Sequence, residues 1–203
     1  MKLEKREFGG YLLFIGGLQW FIGLLAAEAW YPGYSSRIDY VSELGIGPTA
    51  LLYNASIFVL GVCVTTAAYF LHRSGVGKTI PFLIGMAGIG AMGLGIFPGY
   101  LQPMHSIATL IAIFFGSISA IASYKIQMKP MAYISVVLGL VSLGSAILFF
   151  PYLGFPTGST VTFLGMAKGS LERWAIYPLI AWLLGTGSHL TGVSGDLNKS
   201  SDH

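Results

Sequence analysis

The side chains in this sequence that are equipped for chemistry are few. They are the carboxylates of Asp39, Glu43 and Glu172, the imidazole of His105, the guanidinium of Arg173 and the hydroxyls of Ser35, Ser42 and Tyr177. An imidazole acting as general base, a carboxylate that orients it, a serine nucleophile and a cation that steadies an anion make up a hydrolase or transferase site. On that reading His105 is the base, Asp39 or Glu172 orients it, Ser35 or Ser42 attacks and Arg173 holds the anion. The same groups, with Arg37 and Asn54, also suit the binding of a polar head group without reaction. A plainer arrangement is an ion-pair clamp. Asp39 and Glu43 are spaced i, i+4, and like charges at that spacing repel on a helix. A counter-charge is therefore expected, and Arg173 is the candidate. Glu172 has a structural reading of its own, as an acid at a helix start favoured by the dipole. Glu28 reads as a snorkelling helix end and Gln19 as interhelical glue. For His105 the plain alternatives are a solvated interface residue or a helix cap.

The elements that must position these groups are apolar. Only 9% of residues are charged and 54% are hydrophobic, and the mean hydropathy is +0.72. An average soluble domain has roughly 25% charged residues. Six runs are long enough to span a bilayer, which takes about 20 residues: 8–30, 50–71, 80–97, 105–123, 131–150 and 173–190. They are apolar all round, whereas helices of soluble proteins keep a polar side, and they lack the alternation of barrel strands. The expected fold is all-α: one polytopic membrane domain, a six-helix transmembrane bundle, with 191–203 as a tail without structure. The first run is too long for a signal peptide and no small-residue cleavage site follows it. In "YPGYSSRIDYVSELGIGP", Ser36-Arg37-Ile38-Asp39 fits a capping pattern and Gly45 with Gly47-Pro48 a stop. A short interfacial helix is expected there, in the first outer loop.

Six spans place both termini and the second and fourth loops on one side. That side holds Lys2, Lys5, Arg6, Arg73, Lys78, Lys125, Lys129 and Lys199, against Arg37, Lys168 and Arg173 on the other. The positive-inside rule then puts both termini in the cytoplasm of a multi-pass cell-membrane protein. Asp39, Glu43, Glu172, Arg173 and His105 all fall at the outer end. The first and fifth connections, 31–49 and 151–172, are long for loops without helices of their own.

Other signals carry less. Gly88-Ile-Gly90-Ala-Met-Gly93 matches a dinucleotide fingerprint but sits inside a membrane run with no preceding strand. Close helix packing is the better account, with Ala87, Ala91 and Gly95 as a small-residue row. No metal or haem site is expected, because His72 and His189 fall at the inner side, His203 is terminal and only His105 is outside. No cofactor and no nucleic-acid partner are expected. Asn54-Ala-Ser56 and Asn198-Lys-Ser200 match a glycosylation pattern at positions where it has no use. Cys63 has no partner for a disulfide.

The segment "YPGYSSRIDYVSELG", Asn54 and Gly61, Phe97-Pro98, His105 and "LERWAIYPLIAW" together resemble the family called domain of unknown function 998, over about residues 10–190. The family pattern falls on Asp39, Ser42, Glu43, Leu44, Gly45, Asn54, His105, Glu172 and Arg173, and Glu43 stands where Asp is more frequent. The resemblance implies a prokaryotic six-helix membrane protein and implies no activity.

Three functions fit this reading. The first is an outward polar pocket for a lipid head group or small polar ligand, with membrane lipids as partners. The second is a membrane enzyme acting on a lipid at the outer leaflet, and the third a structural or assembly subunit. Ion-coupled transport is disfavoured, since no acid or base lies at mid-membrane. The pocket and the enzyme both require Asp39, His105 and Arg173 to converge.

Overall fold

The computed structural model describes residues 2–150, 162–163 and 165–201. Six α-helices follow the apolar runs: α1 (Lys2–Trp30), α2 (Ala50–Arg73), α3 (Thr79–Ile96), α4 (Met104–Ala122), α5 (Met131–Phe149) and α6 (Lys168–Ser201). Five of them, α1 to α5, are long and apolar enough to cross a membrane by length and composition. The molecule is built as a membrane protein.

Successive helices pack side by side and α6 closes back on α1, so the bundle is a ring. Glycine lets the seams close. A Cβ on Gly61 would meet the backbone of Met92, and one on Gly88 the Thr65 side chain and backbone; both positions lie between α2 and α3. Gly90 meets Ala112 between α3 and α4, and Gly10 and Gly187 face each other's carbonyls between α1 and α6. The apparent dinucleotide fingerprint is thus a packing device, with Gly88 and Gly90 serving two different seams. In the small-residue row, Gly95 packs against Asn54 and Phe58 of α2, while Ala87 and Ala91 face an interior cavity.

Polar side chains join the helices where backbones are already satisfied. Gln19 donates to the Ser56 carbonyl at 2.9 Å, the expected interhelical bond. Ser142 of α5 shares a 2.9 Å bond with Ser117 of α4 and donates to the Ala175 carbonyl of α6 at 2.6 Å. At the end of the bundle that holds the α4–α5 connection, Arg6 donates to the Ile126 carbonyl at 2.7 Å. There the Met128 N–H also donates to His189 Nε2 at 3.0 Å.

Three expectations change. The segment after α1 forms no α-helix starting at Ser36. Turns lead into a five-residue 3₁₀ helix, Val41–Gly45, with Val41 and Leu44 fully buried. It is set into the bundle because its apolar residues find helix faces there, and Asp39 precedes it rather than sharing a helical face with Glu43. Next, α6 begins at Lys168, five residues before the expected 173, and no acid occupies its first turn. Glu172 is therefore a full turn inside the helix and is no helix-start acid. The same helix runs on to Ser201, past the expected end at 190 and into the stretch read as a structureless tail. The all-α expectation also misses one feature, a two-residue antiparallel ladder of β1 (Thr162–Phe163) and β2 (Met166–Ala167) that turns at Gly165 and leads into α6. The rest of the fifth connection, 151–161 and 164, lies outside the described residues.

Candidate functional site

The 3₁₀ helix is held at the polar end of the ring from three directions. Glu172 of α6 accepts the Val41 N–H, and the Ser42 N–H also bonds to it. Asn54 of α2 donates to the Gly45 carbonyl at 2.9 Å, and Thr49 donates to the Leu44 carbonyl at 3.1 Å. Glu172 thus caps the N–H groups that a 3₁₀ helix leaves open at its start. Tyr40 occupies the cap position and makes no side-chain cap bond there.

Arg173 is the hub of the surrounding clamp. Its Nη2 donates to Glu28 Oε1 at 2.7 Å and to the Tyr34 hydroxyl, and its Nε reaches the same Glu28 oxygen at 3.3 Å. Nη1 donates to the Asp39 carbonyl at 3.2 Å and the Gly169 carbonyl at 3.0 Å. Tyr177, one turn on, brings its hydroxyl beside the guanidinium. One guanidinium therefore ties the end of α1, the first connection and α6 together. The planar fork of Arg permits this, where Lys offers only a point charge.

The expected ion pair changes partners. Arg173 touches only the main chain of Asp39, and its carboxylate is Glu28. Glu43 pairs instead with Lys168, at 3.6 Å, and the Lys168 ammonium lies 4.1 Å from the centre of the Tyr40 ring. The Asp39 carboxylate turns back to accept the Ser35 N–H at 2.8 Å. Ser36 and Arg37 are exposed, and Arg37 contributes only its carbonyl, which accepts the Ser170 N–H at 3.2 Å. Burial pushes the Glu43 carboxyl above its usual range, against the pull of Lys168, with Asp39 adding to the rise. Burial likewise pushes the Tyr40 phenol up to about 12, with Glu172 and Glu43 adding, and raises that of Tyr34.

His105 belongs to a different feature. It is buried, and its Nδ1 bonds to the Phe97 carbonyl at 2.8 Å. A carbonyl only accepts, so Nδ1 carries the hydrogen, and in the neutral ring Nε2 is an acceptor. Neither Asp39 nor Glu172 orients the ring among the described residues, because its one N–H in the neutral form goes to the Phe97 carbonyl. With Ser42, Thr109 and Glu172, His105 lines a cavity of about 90 Å³ inside the ring. The rest of the wall is largely apolar, formed by residues such as Leu60, Ala91, Ile113 and Leu183, with the Tyr53 phenol and the buried Trp20 Nε1–H, which has no hydrogen-bond partner among the described residues, as further polar groups. A second, largely apolar groove of about 500 Å³ lies between α4 and α5, and Thr109 and Ile113 line both spaces.

The sequence-predicted residues therefore divide into three sets. Glu172 serves the 3₁₀ helix and the cavity, and Ser42 and His105 line the cavity. Arg173, Tyr177 and the main chain of Asp39 form the clamp, while Ser35, Glu43 and Asn54 fix the first connection. Sequence reasoning missed Tyr34, Lys168, Thr109 and the clamp role of Glu28. Lys168 had a signal: it stands i, i+4 to Glu172 on the same helix. Among the described residues no cluster of His, Cys, Asp or Glu could hold a metal ion.

The family model "Protein of unknown function (DUF998)" matches residues 14–189. The chain belongs to this family. The matched range takes in the clamp, the 3₁₀ helix and the whole cavity lining of this DUF998 protein, so the site lies inside the shared part of the fold. No curated protein and no solved structure matches the DUF998 chain significantly.

Proposed function

We propose that this is a multi-pass cell-membrane protein with six spans, both termini cytoplasmic and the clamp at the outer end, which holds the apolar chain of a membrane lipid inside the ring. The observation that carries the reading is the cavity's make-up. Its walls are largely apolar, with Ser42, His105, Thr109 and Glu172 as a few polar side chains among them. Apolar lining with a few convergent polar groups is the usual composition of a small-molecule site. One water needs roughly 10–15 Å³ of such space, so about 90 Å³ takes a stretch of chain and not a whole lipid. The α4–α5 groove supplies the route from the bilayer, since only the wall containing Thr109 and Ile113 stands between the two spaces. The clamp does not bind the ligand; it fixes the roof. A hydrolase reading lacks the oriented base that it needs, because His105 has no carboxylate partner.

Trp20 and Trp182 line the cavity, while Trp30 and Trp174 are exposed. The test uses the full chain in nanodiscs with Trp30→Phe and Trp174→Phe. An alkyl chain brominated along its length is titrated and tryptophan fluorescence read. Saturable quenching is expected, and Ala112→Phe, which fills the cavity, abolishes it. Quenching that rises without saturation and is the same in Ala112→Phe overturns the proposal.

A further inference from the structure

We infer that the molecule in the cavity ends in an uncharged hydroxyl: an alcohol-headed apolar chain rather than a phosphate, carboxylate or amine. This rests on the reading of the cavity as a chain-binding site. Three groups on the cavity wall offer acceptors, while the Ser42 hydroxyl and the buried, unpartnered Trp20 Nε1–H offer donors. His105 gives its Nδ1 hydrogen to Phe97 and leaves Nε2 as a lone pair. Thr109 donates to the His105 carbonyl at 2.9 Å, which leaves its oxygen to accept. Glu172 is a carboxylate, already taking the Val41 N–H. A head group that donates a hydrogen bond completes this set. One that brings only acceptors leaves buried lone pairs facing each other, which is costly.

Charge narrows the choice further. Neither of the cations nearest Glu172 in sequence lines the cavity. Lys168 turns to Glu43 and the Tyr40 ring, and Arg173 turns to Glu28, Tyr34 and two carbonyls. An anion would therefore be buried beside Glu172 while the nearest cations are already paired with Glu43 and Glu28, which disfavours it. An ammonium donates only, so it would leave the Ser42 hydroxyl and the buried, unpartnered Trp20 Nε1–H without an acceptor. A hydroxyl is neutral, donates to His105 Nε2 and accepts in turn from Ser42. Its chain lies along the walls formed by Ile113, Leu60 and Leu183.

The experiment titrates five probes with one brominated chain and different ends: hydroxyl, carboxylate, phosphate monoester, primary amine and methyl. The readout is quenching of Trp20 and Trp182 in the nanodisc protein carrying Trp30→Phe and Trp174→Phe. The alcohol is expected to bind about tenfold more tightly than the other four, the worth of one well-made hydrogen bond. His105→Phe is expected to bring the alcohol level with the methyl-ended chain, and His105→Gln, which can both donate to Phe97 and accept, to restore part of the difference. If the acid, phosphate or amine equals the alcohol, or if His105→Phe leaves the ranking unchanged, the inference is wrong. If the alcohol and the methyl-ended chain saturate alike, the cavity still holds a chain but the head-group assignment falls. If none of the five saturates, the chain-binding reading fails with it. Where His105→Phe does not fold, the wild-type ranking and His105→Gln decide the matter.

Discussion

At the scale of single residues, the polar end is organised by which main-chain groups the charges must serve. Arg173 is buried to 7% exposure and bonds to Glu28, Tyr34 and two carbonyls at once. Removing one partner of a largely buried pair leaves the other uncompensated, which costs about 3–5 kcal/mol. Arg173→Ala is accordingly expected to lower unfolding stability in detergent by about 3 kcal/mol, and Glu28→Met/Arg173→Met to recover part of the loss. An unchanged melting temperature in Arg173→Ala would show that the clamp is idle. Glu43 titrates with a sign that can be worked out. Its folded carboxyl is raised above the ordinary 4.5, chiefly by burial. The stability it contributes is full below the unfolded value and is lost as pH rises through the folded one. Glu43→Gln mimics the protonated form, so its stability relative to wild type should climb with pH above 4.5 and level off beyond the raised value. Thermal unfolding of both proteins from acid to neutral pH measures this, and parallel curves would mean that Glu43 is not raised. The identities of these charges were legible in the sequence, but their pairing was not. Asp39 and Arg173 look complementary along the chain; a turn that folds the Asp39 carboxylate back onto Ser35 decides otherwise, and no spacing rule announces it.

At the scale of elements, six apolar runs were readable from hydropathy alone, because a bilayer demands long apolar stretches and little else satisfies their backbone. Starts and ends were less readable. Glu172 reads as a helix-start acid and Lys168 falls in the fifth connection, yet the helix begins early and carries both inside because Glu172 has two main-chain N–H groups to cap and Lys168 has Glu43 to meet. The 3₁₀ helix was recognised as a short helix but assigned to the interface, since sequence shows that Val41 and Leu44 are apolar and not which surface covers them. Glycine positions give the sharpest check on the ring. A Cβ on Gly88 would run into Thr65 of α2, whereas one on Gly144 of α5 meets nothing within 4 Å. Gly88→Ala is expected to cost about 1–3 kcal/mol through overpacking of the α2–α3 seam. Gly144→Ala should be neutral or gain about 0.5–1 kcal/mol from helix propensity. Equal melting temperatures for the two variants would mean that the seam is looser than its backbones imply.

At the scale of the whole molecule, the ring accounts for a cavity that the sequence could not reveal. Each run announces itself as apolar, but closure of α6 on α1 depends on Gly10 meeting Gly187, and only closure encloses an interior. Trp20, Leu60, Ala91, Ile113 and Leu183 come from five different helices, and nothing local marks them as neighbours. What charge predicts is direction. Lys and Arg cluster beside the α2–α3 and α4–α5 connections and the N-terminus, at Lys2, Lys5, Arg6, Arg73, Lys78, Lys125 and Lys129, and the clamp lies with the opposite set. A ring of six helices with short even-numbered connections returns both ends to one face, so the basic face and the termini should be cytoplasmic together. The check replaces the half-exposed Cys63 with Ala and introduces single cysteines at Ser36 in the clamp connection, Ser74 after α2 and Lys129 before α5. With a membrane-impermeant maleimide on intact cells, Ser36→Cys should label, while Ser74→Cys and Lys129→Cys should label only after permeabilisation. The reverse pattern would turn the molecule over and move the clamp to the cytoplasmic side. Labelling of Ser74→Cys and Lys129→Cys from opposite sides would break the six-span ring itself, because both connections must lie on one face if α3 and α4 cross as a pair.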